Sequence, residues 1–215
     1  MRYYISDLHF GDSDVMNLMD KRDFPDLQTM NDTLISHWND VAKQDKQAEF
    51  FVLGDMMDYK NLGVDGINKI LHKLRGRIHL ISGNHDDIWI KKSGIDTDRF
   101  VWIQKYAEIK DTGREVILCH YPIPFWGKNR SKTKDGKPKV WMLHGHTHQS
   151  IENEWMCKFK DYINSQTFPD KNGNAVAMKM NIINCFCGKS NYTPLTLDQW
   201  IALYDSDSNN CPQNS

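Results

Sequence analysis

The sequence lacks several things that would take it out of the ordinary globular class. No stretch approaches the roughly 20 consecutive apolar residues of a membrane span, so a membrane protein is not expected. Its five cysteines (Cys119, Cys157, Cys185, Cys187 and Cys211) are odd in number and irregular in spacing. That argues against a disulfide framework and for a reducing compartment. The net charge is only −1 over 215 residues, which gives no global reason to expect nucleic acid or an acidic surface as partner. The opening Met1-Arg2-Tyr3-Tyr4-Ile5-Ser6-Asp7 carries charge too early to supply the apolar core of a signal peptide. No internal repeat is visible. The expectation is a cytoplasmic protein with one domain over residues 1–204, followed by a polar, disordered tail at 205–215.

What is present begins with three short apolar runs, each ending at a polar motif. Arg2 to Ser6 ends at Asp7, Glu49 to Leu53 at Gly54-Asp55, and Arg77 to Ser82 at Gly83-Asn84. Between the first two, Asp26 is placed to cap a helix in which Leu27, Met30, Leu34, Trp38 and Val41 recur at helical spacing. Ile67, Ile70, Leu71 and Leu74 repeat the pattern between the second and third. This is the order of parallel βαβ units. After an ill-defined stretch from Ile88 to Trp102, Tyr106 to Lys110 and Glu115 to Cys119 flank a hairpin-like turn. Val140 to Leu143 and Ala175 to Asn184 read as further strands, and Thr196 as the cap of a terminal helix reaching Tyr204.

Ligand-binding residues of α/β sheets gather beyond the carboxyl ends of strands, and five motifs sit there. They are Asp7-Leu8-His9, Gly54-Asp55-Met56-Met57-Asp58, Gly83-Asn84-His85-Asp86, His120, and Gly145-His146-Thr147-His148. Alone, each has an ordinary structural explanation as a turn, a cap or a buried histidine. Together they hold five of the nine histidines, and coincidence explains that poorly. Carboxylate and amide oxygens beside imidazoles suit borderline divalent ions without thiolate.

The order Asp-x-His, Gly-Asp-x-x-Asp, Gly-Asn-His-Asp, His, Gly-His-x-His resembles the calcineurin-like metallophosphoesterase superfamily. The opening motif, Met30 to Val41, Leu118-Cys119-His120-Tyr121-Pro122 and Asn191-Tyr192-Thr193-Pro194-Leu195 look like its small, single-domain bacterial and phage members. Leu8 stands where many relatives have Thr, and Cys119 where Ser or Gly is usual; neither removes a ligand. The resemblance implies an α/β fold, a four-layer αββα sandwich of two mixed β-sheets flanked by helices. It also implies two divalent metal ions, with Mn²⁺ expected and Fe²⁺ or Zn²⁺ as alternatives. One would take Asp7, His9 and His148, the other Asn84, His120 and His146, with Asp55 bridging.

The implied activity is phosphoester hydrolysis, with a metal-bridging hydroxide attacking phosphorus and His85 protonating the leaving group. Asp58 matches the carboxylate that orients this imidazole in related phosphatases; Asp86 is the rival. A phosphodiesterase acting on a small phosphorylated, nucleotide-like substrate is the first reading, with short nucleic acid also a candidate partner. A nuclease or phosphomonoesterase is the alternative, although the chain looks too short for the DNA-capping domain of larger nucleases. A non-catalytic scaffold is disfavoured because His85 and every ligand are in place. For substrate binding the expectations are Arg22 as a phosphate donor and Tyr121 or Trp126 as a stacking surface. Residues 126–139 carry six basic residues (Lys128, Arg130, Lys132, Lys134, Lys137, Lys139) against one acid. They are either an electropositive lip at the site mouth or a solvated loop.

Overall fold

A computed structural model of the protein describes residues 1–206. The first half alternates β1 (Arg2–Ile5), α1 (Leu27–Gln44), β2 (Glu49–Val52), α2 (Tyr59–Lys73), β3 (Arg77–Ile81), the short α3 (Asp86–Trp89) and β4 (Phe100–Gln104). These four strands form one sheet in the order β1-β2-β3-β4, and every pairing is parallel. The second sheet is mixed. Its order is β10-β7-β6-β5, built from β5 (Tyr106–Asp111), β6 (Arg114–Cys119), β7 (Val140–His144) and β10 (Ile182–Asn184). Only the β5–β6 hairpin is antiparallel; β6–β7 and β7–β10 are parallel. Helix α4 (Ile151–Asn164) and a small hairpin, β8 (Thr167–Pro169) with β9 (Ala175–Ala177), lie between β7 and β10, and α5 (Leu197–Ser206) closes the described chain.

Side chains alternate along these strands as the two-residue period requires, and three apolar clusters result. Tyr3, Ile5, Phe50, Val52, Ile78 and Leu80 face one cluster with Met30, Leu34 and Trp38 of α1 and Ile67, Ile70 and Leu71 of α2. Tyr4, Phe51 and Ile81, one step out of phase, meet Val116, Leu118, Leu143 and Ile183 of the second sheet. The other face of that sheet, through Ile117, Val140, Met142 and Ile182, packs against Met156, Phe159 and Ile163 of α4. Helix α1 begins where expected, with the Asp26 carboxylate accepting from Thr29 N at 2.7 Å. Trp38 stacks on Phe50 with ring centroids 4.1 Å apart and donates to Arg75 O at 2.8 Å.

Four expectations are corrected. The first sheet is wholly parallel rather than mixed, because each of its connections is a crossover. Ala175 to Asn184 is two strands: Met178 N donates to Gln166 O and Met180 N to Asn164 Oδ1. Those bonds pull the chain off the hairpin before β10 begins. Asp205 and Ser206 are helical, as the end of α5; the rest of the expected tail lies outside the described residues. The ill-defined stretch from Ile88 to Trp102 holds the end of α3, a 3₁₀ turn at Thr97–Arg99 and the start of the edge strand β4. Among the described residues no helix is long and apolar enough to cross a membrane.

Candidate active site

The five motifs leave the carboxyl ends of β1, β2, β3, β6 and β7 and converge on one site: four of them line a crevice of about 620 Å³, and His120 stands behind its wall against Asp55 and Asn84. To converge, the backbone reverses sharply just after these strands. Asp7, His9, Asp55, His146 and His148 all have positive φ, between 41° and 69°. Only Gly adopts that region freely, and Asp and His are among the side chains that tolerate it best. Gly54, at φ 91°, precedes Asp55, and a Cβ there would run into the His120 ring.

Among the described residues, ligand-type atoms gather in three groups, each within 4.8 Å: Asp7, His9 and His148; Asp55, His120 and His146; and His9, Asp12 and His85. The Asp55 Oδ2 atom lies 3.2 Å from His120 Nε2 and 3.9 Å from His9 Nε2, so it stands between the first two groups. Asn84 Oδ1 is 3.1 Å from His120 Nε2. Three imidazoles share one device, an Nδ1 anchored outward that turns Nε2 inward. His120 Nδ1 donates to Leu53 O at 2.8 Å, His148 Nδ1 meets Asp20 Oδ1 at 2.7 Å, and His9 Nδ1 meets Asp12 Oδ2 at 3.1 Å. Anchoring of this kind fixes tautomer and orientation in metal-binding histidines. His9 Nε2 is buried and has no hydrogen-bond partner among the described residues, so the donor set fits a bound cation.

The charges interlock. Burial alone would raise the Asp7 pKa, but the neighbouring His148 and His120 outweigh it and hold Asp7 below the usual carboxylate range. Burial pulls His148 down, yet hydrogen bonds to Asp20 and Asp7 carry it up to about 10. His144, fully buried one residue before the Gly-His-Thr-His motif, is pushed by desolvation down to about 4. Asp7 is further fixed by Ser6 Oγ at 2.6 Å and His146 N at 3.0 Å.

His85 immediately precedes α3, half-buried at the crevice wall, with its ring 5.0 Å from that of His9 and its backbone N–H on Asp55 Oδ1 at 2.9 Å. Neither carboxylate expected to orient it does so. Asp58 accepts from Lys60 N at 3.1 Å and caps α2. Asp86 is fully buried and accepts from the backbone of Gly83, Asp55 and Met56 and from Trp89 Nε1, which ties two motif loops together. Asp12 is the carboxylate grouped with His85.

The substrate-side expectations divide. Tyr121 is exposed, and its ring meets that of His146 edge-on at 4.6 Å. Trp126 instead packs against the α4 side of the second sheet. Arg22 is 5% exposed and does not line the crevice. Its guanidinium donates to Leu8 O, Asp7 O and Asp20 Oδ2 at 2.8–2.9 Å, so it clamps the first motif and steadies the carboxylate that holds His148. No residue of 126–139 lines the crevice, which overturns the lip: Lys128 pairs with Glu115, Lys137 with Asp135, and Arg130 lies over the Phe168 ring. Sequence reasoning missed Asp12 and Asp20. Both lie in the loop after Asp7-Leu8-His9, where a lone Asp gives no signal beyond ordinary turn chemistry.

No protein-family model matches the chain. It is 30% identical over 203 residues to MJ1445, an uncharacterized protein of Methanocaldococcus jannaschii, and the match covers 94% of this chain and 90% of that one. Among solved structures, the protein of unknown function AQ665 from Aquifex aeolicus shares the fold, with a TM-score of 0.61 at 22% identity over 94% of this chain and 98% of that one. A nuclease, MPE of Pseudomonas putida, matches with a TM-score of 0.45 at 13% identity over 86% and 74%. The chain belongs to one family with MJ1445, and the order and strand-end placement of its five motifs resemble those of the calcineurin-like metallophosphoesterases.

Proposed function

We propose that this protein is a metal-dependent phosphoester hydrolase, a phosphodiesterase acting on a small nucleotide-like substrate. The observation that carries the reading is the charge of the crevice. Asp20, Asp55 and Glu152 line it together with histidines, and among the described residues no lysine or arginine does so. A phosphate ester would be repelled by that wall unless divalent cations stood in it. The crevice volume also suits one small molecule better than a duplex.

Asp7, His9 and His148 would hold one ion and Asn84, His120 and His146 the other, with Asp55 between them. Two such ions supply charge to the phosphate oxygens and acidify a water at neutral pH. Mn²⁺ is the first candidate, Fe²⁺ and Zn²⁺ the alternatives. The chain's own part is to orient and to move a proton. Asp12 and Asp20 would fix the His9 and His148 rings, and the Asp55–His85 backbone bond sets the imidazole at the crevice wall. From there His85 would give its proton to the departing alkoxide. The same reading takes the two sheets and their outer helices as a four-layer αββα sandwich.

The test is turnover of bis-p-nitrophenyl phosphate against p-nitrophenyl phosphate by Mn²⁺-loaded protein. Hydrolysis of the diester in preference to the monoester is expected. No turnover of either by protein shown to bind the metal would sink the enzyme reading.

Removing an anchoring carboxylate gives a separate check. Asp20→Ala frees the His148 ring and leaves the Arg22 guanidinium without its carboxylate. Mn²⁺ affinity, read by titration calorimetry, should fall by roughly 10–100-fold.

A further inference from the structure

We propose that the other end of the second sheet carries a separate groove that binds single-stranded nucleic acid. Two adjoining clefts form it, sharing Pro138, Lys179 and Asn181. The larger, of about 720 Å³, lies where β6, β7 and β10 begin, at Arg114, Trp141 and Asn181. The catalytic crevice lies where those strands end, a strand's length or roughly 15 Å away. The smaller cleft lies between the 129–138 segment and the β8–β9 hairpin. The basic loop that the catalytic site does not use is therefore a wall of this groove.

Its chemistry matches a strand in three ways. Six cations line the two clefts (Arg114, Arg130, Lys132, Lys137, Lys160 and Lys179) against three carboxylates, Asp135, Asp198 and Asp205. Arg114 is paired with Asp198 and Lys137 with Asp135. Arg130, Lys132 and Lys179 are exposed and have no carboxylate partner among the described residues. Cations spread along a groove track a phosphate backbone, and aromatic faces within it take up bases; Phe168 lines the smaller cleft, Trp141 and Tyr204 the larger.

Third, Arg114 Nε, Trp141 Nε1 and Asn181 Oδ1 are buried polar atoms with no hydrogen-bond partner among the described residues, and all three residues line the larger cleft. Two donors and an acceptor left unpaired behind one wall suit the mixed donor and acceptor edges of an unpaired base. A single small anion would use only the donors, and would not need two clefts.

The experiment is fluorescence anisotropy of a labelled dT oligomer of about 12 nucleotides with metal-free protein under chelator, so that no hydrolysis intervenes. The groove variant is Lys132→Glu with Lys179→Glu. The control is Lys43→Glu with Lys46→Glu, at the end of α1. All four residues are exposed, and thermal melts confirm folding. Binding should weaken by roughly tenfold or more in the groove variant and less than about twofold in the control, with a shallower salt dependence in the former. No wild-type binding at low salt, or equal loss in both variants, would overturn the proposal. So would inorganic polyphosphate displacing the oligomer as well as unlabelled oligomer does, phosphate for phosphate. Turnover of bis-p-nitrophenyl phosphate by the Mn²⁺-loaded groove variant should match wild type, so failure here is distinguishable from failure of the hydrolase reading.

Discussion

Replacing His85 with alanine should lower kcat on a phosphodiester by roughly 10²–10⁴-fold while metal binding and thermal stability stay near wild type. The substitution removes only a half-buried ring. The backbone N–H of residue 85 still donates to Asp55 Oδ1, and none of the seven expected ligands is touched. The size of the loss should follow the leaving group. p-Nitrophenolate departs with little need of a proton, so its diesters should sit at the small end of the range and alkyl or nucleoside esters at the large end. A kinetic series over leaving groups, with bound metal measured in parallel, reads both quantities. An equal loss for good and poor leaving groups, or loss of metal, would remove His85 from the role of acid.

Gly54→Ala should have the larger effect on the folded state. The residue has φ 91°, and an added Cβ would collide with His120 Nδ1 and Cγ and approach Gly83 Cα to 2.9 Å. Neither obstacle is a flexible chain end: one is a ring held by Leu53 O at 2.8 Å, the other is backbone. Relief requires moving His120 out of the site or unwinding the turn after β2, at a cost of at least about 3 kcal/mol. Gly113→Ala is the matched control, since φ is 82° there but nothing lies within 4 Å of the added atom. Its cost should be about 1 kcal/mol. Chemical denaturation of both variants, with Mn²⁺ titration of whatever folds, gives the comparison. Equal destabilisation would mean that strain rather than the approach to His120 governs position 54.

These two positions show what the sequence makes legible. Gly54 and His85 belong to motifs that end apolar runs, and both the runs and the motifs stand where their patterns place them. Helix α1 was visible because Asp26, Leu27, Met30, Leu34 and Trp38 follow cap and period together. Asp12, Asp20 and Arg22 were not, because their work depends on a loop folding back on the first motif. Nothing local separates a carboxylate that anchors His148 from one that caps a turn. Asp58, a position set by resemblance, caps α2 in the structure. Helix α4 also went unread, although Ser150 accepts from Glu152 N at 3.2 Å and Met156, Phe159 and Ile163 repeat at helical spacing. The basic residues of 126–139 were placed by their neighbours in sequence, but the long connection from β6 to β7 carries them to the opposite end of the sheet.

The crevice without lysine or arginine has a kinetic corollary. With Asp20, Asp55 and Glu152 on its walls, the metal-free crevice would turn a phosphate ester away, so on the proposed hydrolase reading cations would load before the ester. Substrate should then show no competition with metal uptake, and product phosphate should find no hold in the bare crevice. Supply of the ion, rather than of the ester, would decide how many molecules in a population are competent at any moment.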